Sequence, residues 1–99
     1  MSNQLIVRGE AEAELADAFA WYEARETGLG VDLINVVEVA LAEIRRRPES
    51  FQRVHGEVRR ALLKRFPYGV FFVADEGRIT VIAVFHASRD PKVWQARGT

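Results

Sequence analysis

The sequence predicts an α+β fold: an N-terminal strand, then an antiparallel helical hairpin packed on a small antiparallel β-sheet. Three observations predict it. Apolar residues recur at helical spacing from Glu10 to Arg47, interrupted at Gly28 and Gly30. Past Glu57 the pattern changes to short apolar runs separated by turn residues. Helices and strands therefore come in blocks rather than alternating, which favours α+β over α/β.

Gln4 to Arg8 is a short strand with Leu5 and Val7 on one face, and Gly9 breaks it. From Glu10 to Glu26, Leu15, Ala18, Phe19 and Tyr22 share a helical stripe. Glu10 and Glu12 stand in its first turn, where a helix dipole favours negative charge. Gly28 and Gly30 end that helix. A second helix runs from about Val31 to Arg47, with Leu33, Val37, Ala40, Leu41 and Ile44 on one side, Arg45 to Arg47 at its negative end and Pro48 as its stop. The short connection makes the two helices a hairpin. Residues 48–56 read as a loop. Three strands follow, Glu57 to Phe66, Val70 to Ala74 and Ile79 to Phe85, joined by turns at Pro67-Tyr68-Gly69 and Asp75-Glu76-Gly77-Arg78. After Pro91, Lys92 to Ala96 has room for about one helical turn.

The apolar share of 48% and charged share of 28% are ordinary for a globular chain. A single domain over residues 1–99 is expected. The longest stretch without a formal charge, Ile79 to Ser88, is too short to span a bilayer, and Met1 to Arg8 has no signal-peptide core. With no cysteine in the chain, a cytoplasmic location is expected, and thiolate catalysis, thiolate zinc sites and disulfides are excluded. A net charge of zero conceals an asymmetry. Residues 1–44 carry two basic and nine acidic side chains, whereas residues 45–99 carry twelve basic and five acidic. Either the basic half meets an acidic partner or the two halves neutralise each other within the fold.

Most catalytic signatures are absent. Gly28-Leu29-Gly30 follows a helix and lacks the third glycine of a dinucleotide fingerprint, and Ser2, Ser50 and Ser88 sit in no nucleophile-elbow pattern. His86 and Asp90 are too few ligands to imply a metal; no metal or cofactor is expected. Glu10 and Glu14 read as a solvated helix face. Three features remain. The strand Arg59-Arg60-Ala61-Leu62-Leu63-Lys64-Arg65 alternates its cations, Arg59 and Arg65 on one face and Arg60 and Lys64 on the other; either face presents guanidinium groups able to grip carboxylate or phosphate. His86-Ala87-Ser88-Arg89-Asp90-Pro91 puts a proton shuttle and a cation at a strand exit, though Asp90 also suits a turn cap. Trp21 points about 100° from Tyr22 on the first helix. It is either an interface anchor or a residue covered by the C-terminal tail that holds Trp94.

The stretches Trp21-Tyr22-Glu23, Gly28-Leu29-Gly30, Arg59-Arg60-Ala61-Leu62-Leu63, Arg65-Phe66-Pro67-Tyr68-Gly69-Val70-Phe71-Phe72 and Ala83-Val84-Phe85-His86-Ala87-Ser88-Arg89-Asp90-Pro91 resemble toxins of the RelE/ParE superfamily, in order and spacing, from about residue 5 to residue 97. The resemblance implies the toxin of a type II toxin–antitoxin pair, neutralised by a cognate antitoxin. Two branches follow. ParE-like members inhibit DNA gyrase; RelE-like members cut messenger RNA on the ribosome. Among the residues that RNA cleavage would use, His86 is the one acid–base group, with Arg89 as its cation; Trp94 has an N–H donor but no proton that titrates usefully. The sequence is nearer the ParE-like branch. Arg59, Arg60, Lys64, Arg65 and Trp94 are then expected to contact the target, and Trp21 the antitoxin. The alternative is a RelE-like endoribonuclease with His86 and Arg89 catalytic.

Overall fold

The computed structural model describes residues 4–98; residues 1–3 and 99, the ends of the expected domain, lie outside the described residues. The chain runs β1 (Gln4–Val7), α1 (Gly9–Arg25), α2 (Leu29–Arg46), a 3₁₀ turn (Pro48–Ser50), β2 (Arg53–His55), β3 (Val58–Leu62), β4 (Tyr68–Asp75), β5 (Arg78–His86) and α3 (Lys92–Arg97). Gly9 opens α1 instead of separating it from β1.

The Gly-Leu-Gly connection has a specific cause. Gly28 adopts φ +92°, which a side chain disfavours, and its N–H donates to Glu23 Oε2 at 2.9 Å. The Gly30 N–H donates to Oε1 of the same carboxylate at 2.9 Å, and a Cβ there would stand 2.8 Å from the Phe19 ring. Glu23, near the end of α1, thus satisfies open N–H groups at the start of α2.

The sheet has five strands in the order β1-β5-β4-β3-β2. It is mixed where an antiparallel sheet was expected. β1 pairs parallel with β5, while β2–β3, β3–β4 and β4–β5 are antiparallel. The helical hairpin and three strands separate β1 from β5 in the chain, so no tight turn imposes an antiparallel pairing there. β2 is a strand within the stretch read as loop. Its three residues, Arg53, Val54 and His55, are too few and too polar to show an alternation. β3 stops at Leu62, short of the expected Phe66. The Leu63 N–H closes onto Tyr68 O, and Arg65 takes φ +71°, so Lys64 and Arg65 lie in a turn. The β4–β5 hairpin turns through Glu76 and Gly77, both at positive φ.

The helices cover one face of the sheet. Leu33, Val37 and Ile44 of α2 and Ala11 and Ala18 of α1 pack with Ala61, Val70, Phe72, Ile79, Val81 and Val84. The opposite face holds a second cluster: Val58, Phe71, Ile82, Ala83, Phe85 and Trp94. A register shift feeds both. Phe71 faces Ala83 and Phe72 faces Val81, leaving Ile82 as an extra residue. Ile82 and Ala83 then both join the second cluster, and Val81 to Phe85 are buried without a break. Among the described residues, no helix is long and apolar enough to cross a membrane.

Candidate functional site

The four cations of the expected basic strand part company. Arg59 is opposite Phe72, and its Nη1 donates to the carbonyls of Phe51 at 2.7 Å and Glu49 at 3.3 Å, tying down the 3₁₀ segment. Arg60 is opposite Phe71 on the other face, its stem lying over Gly69, where an added Cβ would come within 3.2 Å. Lys64 is exposed in the turn, and Arg65 reaches Asp32 of α2 at 3.5 Å through side chains that are both well solvated. The alternation expected for a strand through Arg65 therefore ends at Leu62.

Trp94, expected to contact a target, is only 5% exposed. Its indole stacks on Phe71 at 4.2 Å and 26°, and His55 meets it edge-on. The sequence pattern showed no helical stripe long enough to reveal that the last six-residue helix closes a sheet face.

An ion pair anchors that helix. Arg97 of α3 and Glu14 of α1 meet at 2.9 Å, 18% and 12% exposed. Glu14 Oε1 also accepts the Val84 N–H at 3.0 Å, and Arg97 Nη1 donates to Ile82 O at 3.1 Å. β1 has ended by this point, so the pair takes backbone groups of β5 that have no strand partner there. Glu14 is thus not part of the solvated helix face expected for it.

Two surfaces stand out. The first is a cleft of about 410 Å³ between α1 and the end of β5, lined by Trp21, Tyr22, Tyr68, His86, Arg89 and Asp17 among others. Trp21 is 51% exposed, with the Arg25 guanidinium 3.6 Å above its ring centre. It meets Tyr22 edge-on at 4.9 Å, Tyr22 meets Tyr68 at 6.2 Å, and Tyr68 meets His86 at 5.1 Å. His86 Nδ1 accepts the Ser88 N–H at 3.0 Å, which leaves the proton of a neutral ring on Nε2. The Arg89 guanidinium lies 4.2 Å over Phe85. Burial pushes the Tyr68 phenol above its ordinary value of 10.0; nearby Tyr22 adds to the rise and Arg89 opposes it. Asp90 Oδ1 accepts the Lys92 N–H at 3.0 Å, opening α3 as a turn cap.

The second surface is a groove of about 730 Å³ between α2 and β3, lined by Val36, Val39, Phe51, Leu62, Lys64 and Arg65 among others. Val39 and Leu62 are each 65% exposed. The Arg60 N–H faces outward to Gln52 O, so by strand alternation the Leu62 N–H also faces outward, beyond the end of β2. Sequence reading missed Val39, Leu62, Tyr22, Tyr68 and Asp17 as surface features. The two aliphatics were legible only as surplus to their stripes, and the tyrosines were indistinguishable from core residues.

Comparison with known proteins gives three findings. No curated protein sequence matches this chain. Among solved structures, a chain described as "Chromosomal ParDE TA system from P. aeruginosa" superposes with a TM-score of 0.77 at 13% identity, covering 87% of this chain and 97% of that one, and so shares the fold. A sequence model described as "ParE toxin of type II toxin-antitoxin system, parDE" matches residues 5–91. By that match, which spans the α1–α2 hairpin and all but the first residue of the sheet, this chain belongs to the ParE toxin family of type II toxin–antitoxin systems.

Proposed function

We propose that this toxin acts in the cytoplasm by binding DNA gyrase and that a cognate antitoxin neutralises it. Family membership carries the reading, and the divergence of the basic residues supports it against RNA cleavage. A nuclease would need His86, Arg89 and the strand cations around one phosphate. Here Arg59 is spent on two carbonyls, Arg60 lies on the opposite face, and Arg65 turns toward Asp32. Among the described residues, Arg60 and Lys64 are the cations of that segment whose charged ends meet no carbonyl or carboxylate, and they remain for a target. The deciding assay is purified gyrase with supercoiled plasmid and excess antitoxin-free toxin. Loss of supercoiling with trapped cleavage complexes is expected. Unimpaired supercoiling rejects the reading.

For the antitoxin, the α2–β3 groove suits an extended segment. Such a segment, laid beside β3 as a sixth strand, would take the outward N–H of Leu62 and drop alternate apolar side chains beneath Val36 and Val39. Trp21 supplies a second contact for a helical part of the same partner. A stable pair would bury on the order of 2,000 Å². The test is V39E/L62E. It should keep the circular dichroism of the wild type and lose antitoxin on size exclusion; an intact complex would remove the groove from the interface.

A further inference from the structure

Among the described residues, three hydrogen-bond donors in the α1–β5 cleft have no protein acceptor. The hydroxyls of Tyr22 and Tyr68 have no hydrogen-bond partner among the described residues, and Arg89 has no carboxylate, only the Phe85 ring beneath it. All three residues line the same cleft, and Tyr68 feels the charge of Arg89 and the hydroxyl of Tyr22. His86 adds a fourth donor, because Ser88 occupies its Nδ1 and leaves Nε2–H. The walls above them are aromatic: Trp21, Tyr22 and Tyr68.

From this convergence we propose that the cleft is a receptor for a single carboxylate side chain, an Asp or Glu presented by the antitoxin on the segment that covers Trp21. The proposal rests on the antitoxin reading above and adds the chemistry of its contact. Donors grouped around an empty space fit an acceptor-rich end group, and hydrogen bonds to a charged acceptor are the strong ones. The same lining argues for a carboxylate rather than a nucleic-acid strand. Asp17 lines the cleft without an ion-pair partner among the described residues, and Glu14, which lines it too, is already paired with Arg97. A strand carrying one charge per nucleotide would meet Asp17 along its length; one side-chain carboxylate needs only the Arg89 side of the cleft. Trp, Tyr and Arg together are also the residue types that dominate protein–protein anchor sites.

The test measures antitoxin affinity by titration calorimetry for wild type, Y22F/Y68F and R89Q. Y22F/Y68F removes both hydroxyls and keeps both rings; R89Q alters an exposed side chain, so at least one variant folds as the wild type does, checked by near-ultraviolet circular dichroism. Each hydrogen bond to the carboxylate is expected to contribute about tenfold in Kd, giving roughly a hundredfold loss for the double phenylalanine variant. One acidic antitoxin residue, changed to its amide, should lose affinity by a similar factor and lose little more when combined with R89Q. Wild-type affinity in both toxin variants overturns the proposal. So does a loss confined to gyrase binding, which would give the cleft to the target, or a loss confined to binding of a labelled single-stranded RNA. If the wild-type toxin forms no complex with the antitoxin, the antitoxin reading falls and the cleft assignment with it. A wild-type complex insensitive to the variants removes the cleft alone.

Discussion

E14Q should loosen the whole C-terminal side of the molecule. Glu14 makes a charged contact with Arg97 at 2.9 Å and holds the Val84 N–H, and both side chains are more than four-fifths buried. Removing one partner of a buried pair costs about 3–5 kcal/mol; the residual exposure lowers that to about 2 kcal/mol for a substitution that keeps the shape and one acceptor oxygen. E14A also orphans the Val84 N–H, bringing the loss to about 3 kcal/mol. For a domain of this size, 2 kcal/mol lowers Tm by roughly 10 °C. The assay is urea unfolding in a W21F background, where Trp94 is the remaining tryptophan and its emission reports how firmly α3 is seated. A double-mutant cycle with R97Q should return a coupling of about 1 kcal/mol or more. By contrast E43Q, which breaks the solvated Glu43–Arg46 pair, should change stability by less than about 0.5 kcal/mol. If E14Q unfolds at the wild-type urea concentration with Trp94 emission unshifted, the pair is not what holds α3, and the account of the sheet's second face is wrong.

Three further outcomes follow from the geometry. W94A deletes a ring that is 5% exposed and stacked on Phe71, and should cost about 3–5 kcal/mol in chemical denaturation while exposing a dye-binding apolar face. R59Q should cost about 1–2 kcal/mol by releasing the Phe51 and Glu49 carbonyls, whereas R60Q should leave stability near wild type and weaken only target binding; equal melting curves for the two would contradict the assignment. Tyr68 titrates above 10.0 in the fold because burial disfavours phenolate. Above pH 10 the unfolded chain therefore loses that proton first, and stability falls as pH rises toward the folded value. Y68F should lack this part of the alkaline loss, measured as urea midpoints between about pH 9 and 11.

The elements were legible where one rule governed many residues. The stripe through Leu33, Val37 and Ile44 located α2, and Gly28 and Gly30 marked its start, because both signals are local. The strand direction at the sheet's edge was not local. Whether β1 runs parallel to β5 depends on the path of the intervening chain, which no window of sequence contains. The basic strand misled for a different reason. Alternation predicts faces only while the strand lasts, and β3 ends at Leu62, before Lys64 and the positive-φ Arg65. Of the site residues, His86, Arg89 and Trp21 fall on one cleft, while Trp94 left the surface because a six-residue helix covers a sheet face whose strands also look apolar. Glu14 read as solvent-facing because its partner lies 83 residues away.

The exposed pair Val39 and Leu62 bears most directly on how the free chain differs from a complex. Soluble sheets guard their edges with charge, short strands or a covering element. On one side this sheet does so: where β1 ends, Glu14 and Arg97 occupy the backbone groups of β5. On the other, β2 and Gln52 cover β3 only as far as Arg60, and the edge beyond it carries a leucine that is 65% exposed in the same groove as a valine exposed to the same extent. Lys64 and Arg65 flank the gap without closing it. The same molecule therefore protects one edge with a buried ion pair and leaves the other bare beside an apolar helix face. General solubility does not account for that difference, since burying both aliphatics would stabilise a free monomer by about 25 cal/mol per Å² removed from water. The antitoxin strand proposed above would account for it, and the sequence model that this chain matches describes the toxin half of a toxin–antitoxin system.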